Sequence, residues 1–247
     1  MINKSKIRKS IQYSGASDNE DFQILEFLSK NPHINNLEVL EVGCGMCGFV
    51  RKLKESFPAI KITCVDINPR SIEIAKELGC DVFCGNILDV KLNKKYDIVH
   101  CSHVIEHFKY PEVTDLLDFL VDSTKDDGIV IIRSPLMWEC FYFDIDHVRP
   151  YPPQAILNYF HLEQQQKQGN YRIKVIKIWY NTKPIRFNLL QPWNLLYHIS
   201  IVHPVIDFFI NHTNGILLRL WKMFRLPSTS PKTYMMAFKR DHQLQKS

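Results

Sequence analysis

Two rhythms of apolar and polar positions alternate along this chain. Runs at 39–42, 60–65, 81–84, 96–101 and 129–133 are rich in large apolar residues, and each closes on a polar or glycine-containing turn. Short, bounded runs of this kind read as strands. Between them come helical stretches, one opening at Phe49 and running to about 57, one over 69–78 and one over 113–121. Asp126, Asp127 and Gly128 read as the turn that feeds the fifth strand. Strand followed by helix, repeated, predicts an α/β fold with a mostly parallel, doubly wound, Rossmann-like sheet. A helix over 153–160 and two further strands, 172–180 and 233–239, complete the pattern. No parallel crossover is evident between those last two, so they predict an antiparallel pair closing a seven-stranded sheet.

Two segments stand outside this alternation. The polar stretch 1–36 carries Phe22, Ile24, Leu25, Phe27 and Leu28 at helical spacing over 21–29, and reads as an N-terminal helical cap that covers the sheet edge. The stretch 181–232 reads as a helical insertion or lid between the last two strands of a single 1–247 domain. It sets Lys183, Arg186, Arg219, Lys222, Arg225 and Lys232 against one acid, Asp207, among Trp193, Phe208, Trp221 and Phe224. Basic residues interleaved with large apolar ones fit an interfacial helix pair on an anionic membrane surface; a pocket lid or a dimer contact is the plainer reading. Asn194, His198, His203, Pro204 and Asp207 make 193–210 a poor transmembrane span.

Composition narrows the class only a little. With 45% apolar and 23% charged residues, the chain is ordinary for a globular protein. A net charge of +5, with no basic stripe outside 181–232, does not point to nucleic acid. Residues 3–10 are basic but not apolar, which predicts a cytoplasmic protein, peripheral on the inner face of a membrane if the insertion binds lipid. The seven cysteines read as reduced core thiols rather than as zinc ligands at Cys44, Cys47, Cys80 and Cys84.

Candidate chemistry starts at Glu41-Val42-Gly43-Cys44-Gly45-Met46-Cys47-Gly48, where a strand runs into a glycine-punctuated turn and then a helix. Such a turn brings backbone close to a ligand and aims helix N–H groups at it. An acid at Glu41 would repel a pyrophosphate but suits a ligand bearing an ammonium and a sulfonium. Asp66 follows about twenty residues beyond the loop, where a ribose-binding carboxylate belongs in adenosine-binding folds. Glu-x-Gly-x-Gly with Asp66 and Asn86 resembles the class I S-adenosylmethionine-dependent methyltransferases, in particular their small-molecule and quinone O-methyltransferase-like branch. The resemblance covers residues 36–160 and the closing strand pair, and it implies S-adenosylmethionine as cofactor. It implies Glu41, Gly43, Cys44, Gly45, Asp66, Ile67, Asn86, Ile87 and Ser102 around that cofactor, with Asn86 near the adenine amine through its amide oxygen. Cys47 departs from the family by standing where glycine is common, and a positive φ there would strain the loop.

The fourth strand delivers His103, Glu106 and His107 to the carboxyl edge of the sheet, and His147 and Arg149 follow in a polar loop after the fifth strand. Loss of a proton from an acceptor hydroxyl needs a base titrating near neutrality, for which His107 and His147 are first choices and Glu106 and His103 further candidates. Arg149 could grip a carboxylate or phosphate. His103-x-x-Glu106-His107 with His147 is also similar to the metal site of small-RNA 3′-terminal 2′-O-methyltransferases, so a divalent metal is a candidate cofactor. The segment His147-Val148-Arg149-Pro150-Tyr151 resembles a loop of methyltransferases associated with bacterial surface polysaccharides. The expected activity is therefore methyl transfer to a hydroxyl of a small-molecule, glycan or lipid-linked acceptor. Two readings compete with it. The glycines and Asp66 also fit an NAD-dependent oxidoreductase, and the fold could serve as a non-catalytic binding subunit.

Overall fold

The computed structural model describes residues 17–137, 141–162, 167, 169–181, 212–213, 216 and 231–241. Seven strands follow in chain order: β1 (Glu38–Val42), β2 (Lys61–Asp66), β3 (Asp81–Cys84), β4 (Tyr96–Ser102), β5 (Thr124–Pro135), β6 (Ile173–Asn181) and β7 (Thr233–Arg240). The α-helices α1 (Ser17–Leu28), α2 (Gly48–Ser56), α3 (Pro69–Glu77), α4 (Glu112–Asp122) and α5 (Pro153–His161) accompany them among the described residues. The strands form one sheet in the order β3-β2-β1-β4-β5-β7-β6. The first five are parallel, and β7 runs antiparallel to both β5 and β6, as the apolar pattern predicted.

Alternation along β1 and β4 divides the core into two layers. Leu40, Val42, Val99 and Cys101 face one way, onto Val113, Leu116, Leu117 and Leu120 of α4 and Ile156 and Phe160 of α5. The buried positions of α4 recur three and four residues apart, which is the stripe a helix needs to lie on a sheet. Val39, Ile98 and Cys64 face the other way, onto Ile24 and Leu25 of α1, Phe49, Val50 and Leu53 of α2, and Ala75 of α3. The third helix starts as its sequence dictates: the Asn68 side chain accepts the Arg70 N–H, and Pro69 needs no partner for its own nitrogen.

Two elements differ from expectation. The fifth strand begins at Thr124 instead of after a turn at Asp126-Asp127-Gly128. A register shift between Tyr96 and Ile98 absorbs those residues, so Asp126 and Asp127 stay exposed while the ladder continues. Helix α1 covers a sheet face rather than an edge alone, since Ile24 and Leu25 join Ile131 and Met235 in one cluster. Phe27 reaches the edge strand as well, meeting Trp179 edge-on at 5.1 Å.

The chain separates into two compact units, Met1–Asn181 with Lys232–Ser247, and Thr182–Pro231. The expected helical insertion with its basic and aromatic residues lies almost wholly outside the described residues. Among the described residues no helix is long and apolar enough to cross a membrane.

Helix α1 is fastened to β5 by buried charge. Arg133 Nη1 reaches Asp21 Oδ1 at 2.5 Å, and Lys52 Nζ meets the other oxygen of that carboxylate at 2.7 Å. Arg133 Nε donates to Ser102 Oγ at 2.7 Å. On the surface, Lys125 makes a similar pair with Asp97 at 2.9 Å. Removing one partner of a buried pair strands the other charge, whereas an exposed pair is largely replaced by water. Arg133→Met is therefore expected to cost about 3–5 kcal/mol and Lys125→Met about 0–1 kcal/mol, as read from urea unfolding midpoints.

Candidate active site

Reversal of strand order between β1 and β4 opens a crevice at the carboxyl ends of the parallel strands, where α/β sheets place ligands. A cavity of about 770 Å³ fills it. Of the residues expected from sequence, Gly43, Gly45, Asp66, Ile67, Asn86, Ile87, His103 and His107 line this cavity.

The turn after β1 is built from hydrogen bonds and missing side chains. Gly43 N donates to Val65 O at 2.8 Å, extending the β1–β2 ladder by one residue. Its φ is +73°, and a Cβ there would lie 2.2 Å from Val104 Cγ2. Gly45, at φ +50°, has open space around its absent Cβ, and its N–H donates to Asp66 Oδ2 at 2.7 Å. The other Asp66 oxygen accepts Asn68 N–H at 2.8 Å. Each carboxylate oxygen keeps a second lone pair, which is what paired ligand hydroxyls require. Cys47 adopts the left-handed conformation that the sequence made a concern, with φ 58° and ψ 27° at the N-cap of α2. Its side chain is fully buried, and burial, with Cys44 alongside, pushes its thiol up to about 12.

Several expected ligand residues have other partners. Glu41 is buried and contacts His100, its register partner on β4, at 2.8 Å. Residue 41 shares the sheet face of Val39, whereas Val42 opens on the cavity, so strand alternation turns Glu41 away from it. Cys44 belongs to the apolar cluster beneath α2. Ser102 is buried against Arg133. Asn86 accepts the Leu88 N–H on its amide oxygen at 3.0 Å, which keeps that oxygen's second lone pair and its NH₂ for a ligand.

On the other wall, His103 follows β4 with φ 53°, held by its N–H on Arg133 O at 2.8 Å. Its Nδ1 stands 3.3 Å from Glu106 Oε1 and its Nε2 3.9 Å from Glu20 Oε2. Burial alone would lower the imidazole, but the two carboxylates overcome that and raise it to about 9. His103 is thus a cation at neutral pH and unsuited to be the base. His107 and His147 lie with ring centroids 5.0 Å apart. Glu106 is completely buried and accepts Ser134 Oγ at 3.1 Å. Arg149 stacks its guanidinium over Tyr151, 5.7 Å from the ring centroid, and does not line the cavity.

The cavity also takes in Val104, Phe108, Glu112, Ile145, Asp146 and Val148. Ile145, Asp146 and Val148 flank His147, so loop membership was the available signal for them. Glu20 had no signal, because its role depends on where α1 packs.

The fold and the crevice together define a methyltransferase-type α/β protein. Residues 17–167 match the methyltransferase-domain family, and the chain belongs to that family. It is 32% identical over 104 residues to a malonyl-[acyl-carrier protein] O-methyltransferase of Acetivibrio thermocellus, covering 40% of this chain and 36% of that one. It is 33% identical over 120 residues to a ubiquinone biosynthesis O-methyltransferase of Rickettsia canadensis, covering 46% and 49%. The chain thus spans less than half the length of these curated relatives. Its fold is similar to a SAM dependent methyltransferase from Archaeoglobus fulgidus, with TM-score 0.54 and 22% identity over 90% of this chain and 94% of that one. It is also similar to the N-methyltransferase NodS of Bradyrhizobium japonicum in complex with S-adenosyl-L-homocysteine, with TM-score 0.58 and 13% identity over 94% and 91%.

Two outcomes test this geometry. Gly43→Ala meets both a positive φ and a stiff neighbour, and is expected to cost about 2–4 kcal/mol, against about 1 kcal/mol for Gly45→Ala, in denaturant titrations. Burial would raise the Glu20 carboxyl, but the nearby His103 ring, hydrogen bonds from Thr233 and Asn181 and the Arg133 charge hold it at about 2, against 4.5 unfolded. A depressed carboxyl stabilises above its unfolded value and loses that contribution as pH falls. Stability should drop by about 2 kcal/mol more between about pH 5 and about pH 3 in the parent than in Glu20→Gln, measured by urea midpoints.

Proposed function

We propose that this chain transfers a methyl group from S-adenosylmethionine to a hydroxyl of a small organic acceptor. The observation that carries the reading is Asp66, a carboxylate at the floor of the crevice whose two oxygens are oriented by Gly45 and Asn68 N–H groups and keep lone pairs for ribose hydroxyls. The residues present fit the cofactor. Ile67, 72% exposed, and Ile87 offer apolar faces for adenine, and the side-chain-free turn at Gly43 and Gly45 admits the remainder. When bound, the cofactor supplies an electrophilic methyl on a positively charged sulfur.

The chain's own part is to position the acceptor and to deal with its proton. His107 lines the crevice with His147 packed beside it, both offering nitrogen lone pairs, and His103 supplies a positive charge near them. Relatives above 30% identity are named O-methyltransferases, which supports a hydroxyl acceptor. Ile145, Phe108 and Val148 give the crevice an apolar lip, which supports an acceptor with an apolar part and fits a lipid-linked molecule better than a bare sugar. The basic and aromatic composition of 181–232 supports contact with an anionic membrane surface. Family membership favours this reading over a dinucleotide-dependent oxidoreductase.

Isothermal titration calorimetry with S-adenosylmethionine, S-adenosylhomocysteine and NAD decides the matter. Binding of the first two is expected, weakened about tenfold or more in Asp66→Asn through loss of charged hydrogen bonds. Folded protein giving heat only with NAD, or with none of the three, overturns the reading.

A further inference from the structure

The turn that leaves β4 holds Glu106 and His107 side by side in one helical turn, Ile105–His107. The loop after β5 returns over that turn and is pinned to it. Val148 N and Arg149 N both donate to Glu106 O, at 2.9 and 3.3 Å. That anchorage is what brings His147 beside His107.

The orientation of the two rings is informative. His107 Nδ1 faces Asp146 O at 3.1 Å, and His147 Nδ1 faces Phe141 O at 2.7 Å. A carbonyl oxygen can only accept, so Nδ1 carries the proton in both rings and Nε2 is left with a lone pair. Metal-binding imidazoles are commonly held in this way, with the other ring nitrogen donating to a main-chain carbonyl.

The carboxylate between them is incomplete. Glu106 Oε2 accepts from Ser134, but Oε1 has no hydrogen-bond partner among the described residues. His103 Nδ1 is 3.3 Å away without the alignment of a hydrogen bond, and His147 Nε2 is 4.0 Å away. The His103 ring beside it offsets charge without supplying a hydrogen bond, and a coordinated metal ion would give this buried oxygen the direct partner it lacks.

One donor atom from each of Glu106, His107 and His147 lies within 4.8 Å of the others. Donors about 2.0–2.2 Å from a common ion at tetrahedral angles stand about 3.5 Å apart, so closure draws the donor atoms together by about 1 Å, within the reach of side-chain rotations. We propose that Glu106, His107 and His147 bind one divalent transition-metal ion of the zinc type. Two imidazoles and one carboxylate select such an ion over magnesium, which prefers oxygen ligands. Three protein ligands leave a coordination position open, and His107 lines the cavity, so an acceptor oxygen can reach the ion. A hydroxyl bound there gives up its proton more readily. The Nε2 lone pairs would then be occupied by the ion and would no longer act as bases.

Metal binding is measured without methyl donor, so its outcome is separate from that of the proposed activity. The full chain is stripped with chelator and titrated with zinc chloride and, in parallel, magnesium chloride by calorimetry; its cobalt(II) adduct is read by absorption. One zinc per chain is expected, bound at least tenfold more tightly than magnesium and at least tenfold more weakly in His107→Ala and His147→Ala. The wild-type cobalt spectrum should show d–d bands without a thiolate charge-transfer band. Absence of zinc binding, binding unchanged in both variants, or a thiolate band that assigns the ion to cysteines overturns the proposal. If a variant fails to fold by circular dichroism, the wild-type cobalt spectrum and the other variant still decide.

Discussion

The turn leaving β1 and the turn leaving β4 occupy one space, and they can do so because Gly43 carries no side chain. Val104 Cγ2 stands where a Cβ would be, 2.2 Å from its ideal position. Without that contact the two turns would have to part, and the crevice between them would lose its shape. On one side of it lie Asp66 and Asn86, and on the other His103 and His107. Residues well separated in the chain thus face one another across a single cavity. The positive φ at Gly43 and the left-handed conformations of Cys47 and His103 fall at these same turns. Backbone conformations that cost energy are thereby concentrated where the ligand would sit, which is a common correlate of function.

Charge is arranged around this crevice with unusual density for a buried region. Glu20, Asp21 and Glu106 are all buried, and Arg133, Lys52 and His103 stand against them. Buried ion pairs contribute little net stability, because desolvation offsets much of their attraction. Their stronger effect is geometric. Arg133 can meet Asp21 and Ser102 together only with α1 in one place, and Glu20 then arrives within 3.9 Å of His103. The N-terminal helix therefore takes part in setting the protonation state of a cavity residue, although no residue of α1 lines the cavity.

The frame was legible in the sequence because its signals are local. Continuous apolar runs gave the parallel strands, the absence of a crossover gave the antiparallel pair, and the glycine turn with Asp66 marked the crevice. What local pattern could not give was side-chain direction and long-range partnership. Glu41 carried weight as a ligand residue on its sequence position, yet alternation along β1 turns it toward His100. Asn86 lines the cavity, and its amide oxygen also closes its own turn, a contact that local pattern did not reveal. The Asp126–Gly128 stretch has turn composition, and a register shift in the β4–β5 pairing accommodates it within the strand. Glu20 was invisible for a different reason: a glutamate in an amphipathic helix has no mark of its own until the helix packs.

The antiparallel end of the sheet is more than a closing device. From β5, Ser134 donates to Glu106. From β7, Thr233 hydrogen-bonds Glu20, and the Tyr234 hydroxyl donates to Tyr151 O at 2.7 Å, fixing the far end of the loop that carries His147. Tyr151 in turn donates to Phe108 O at 2.9 Å, just beyond His107. One hydrogen-bonded path thus runs from β7 through the loop to the turn after β4. The glycine turn and Asp66 are set by β1 and β2, and the Glu106–His107–His147 group is braced by β5 and β7. Separate support for the two walls lets one differ in chemistry while the other keeps its geometry.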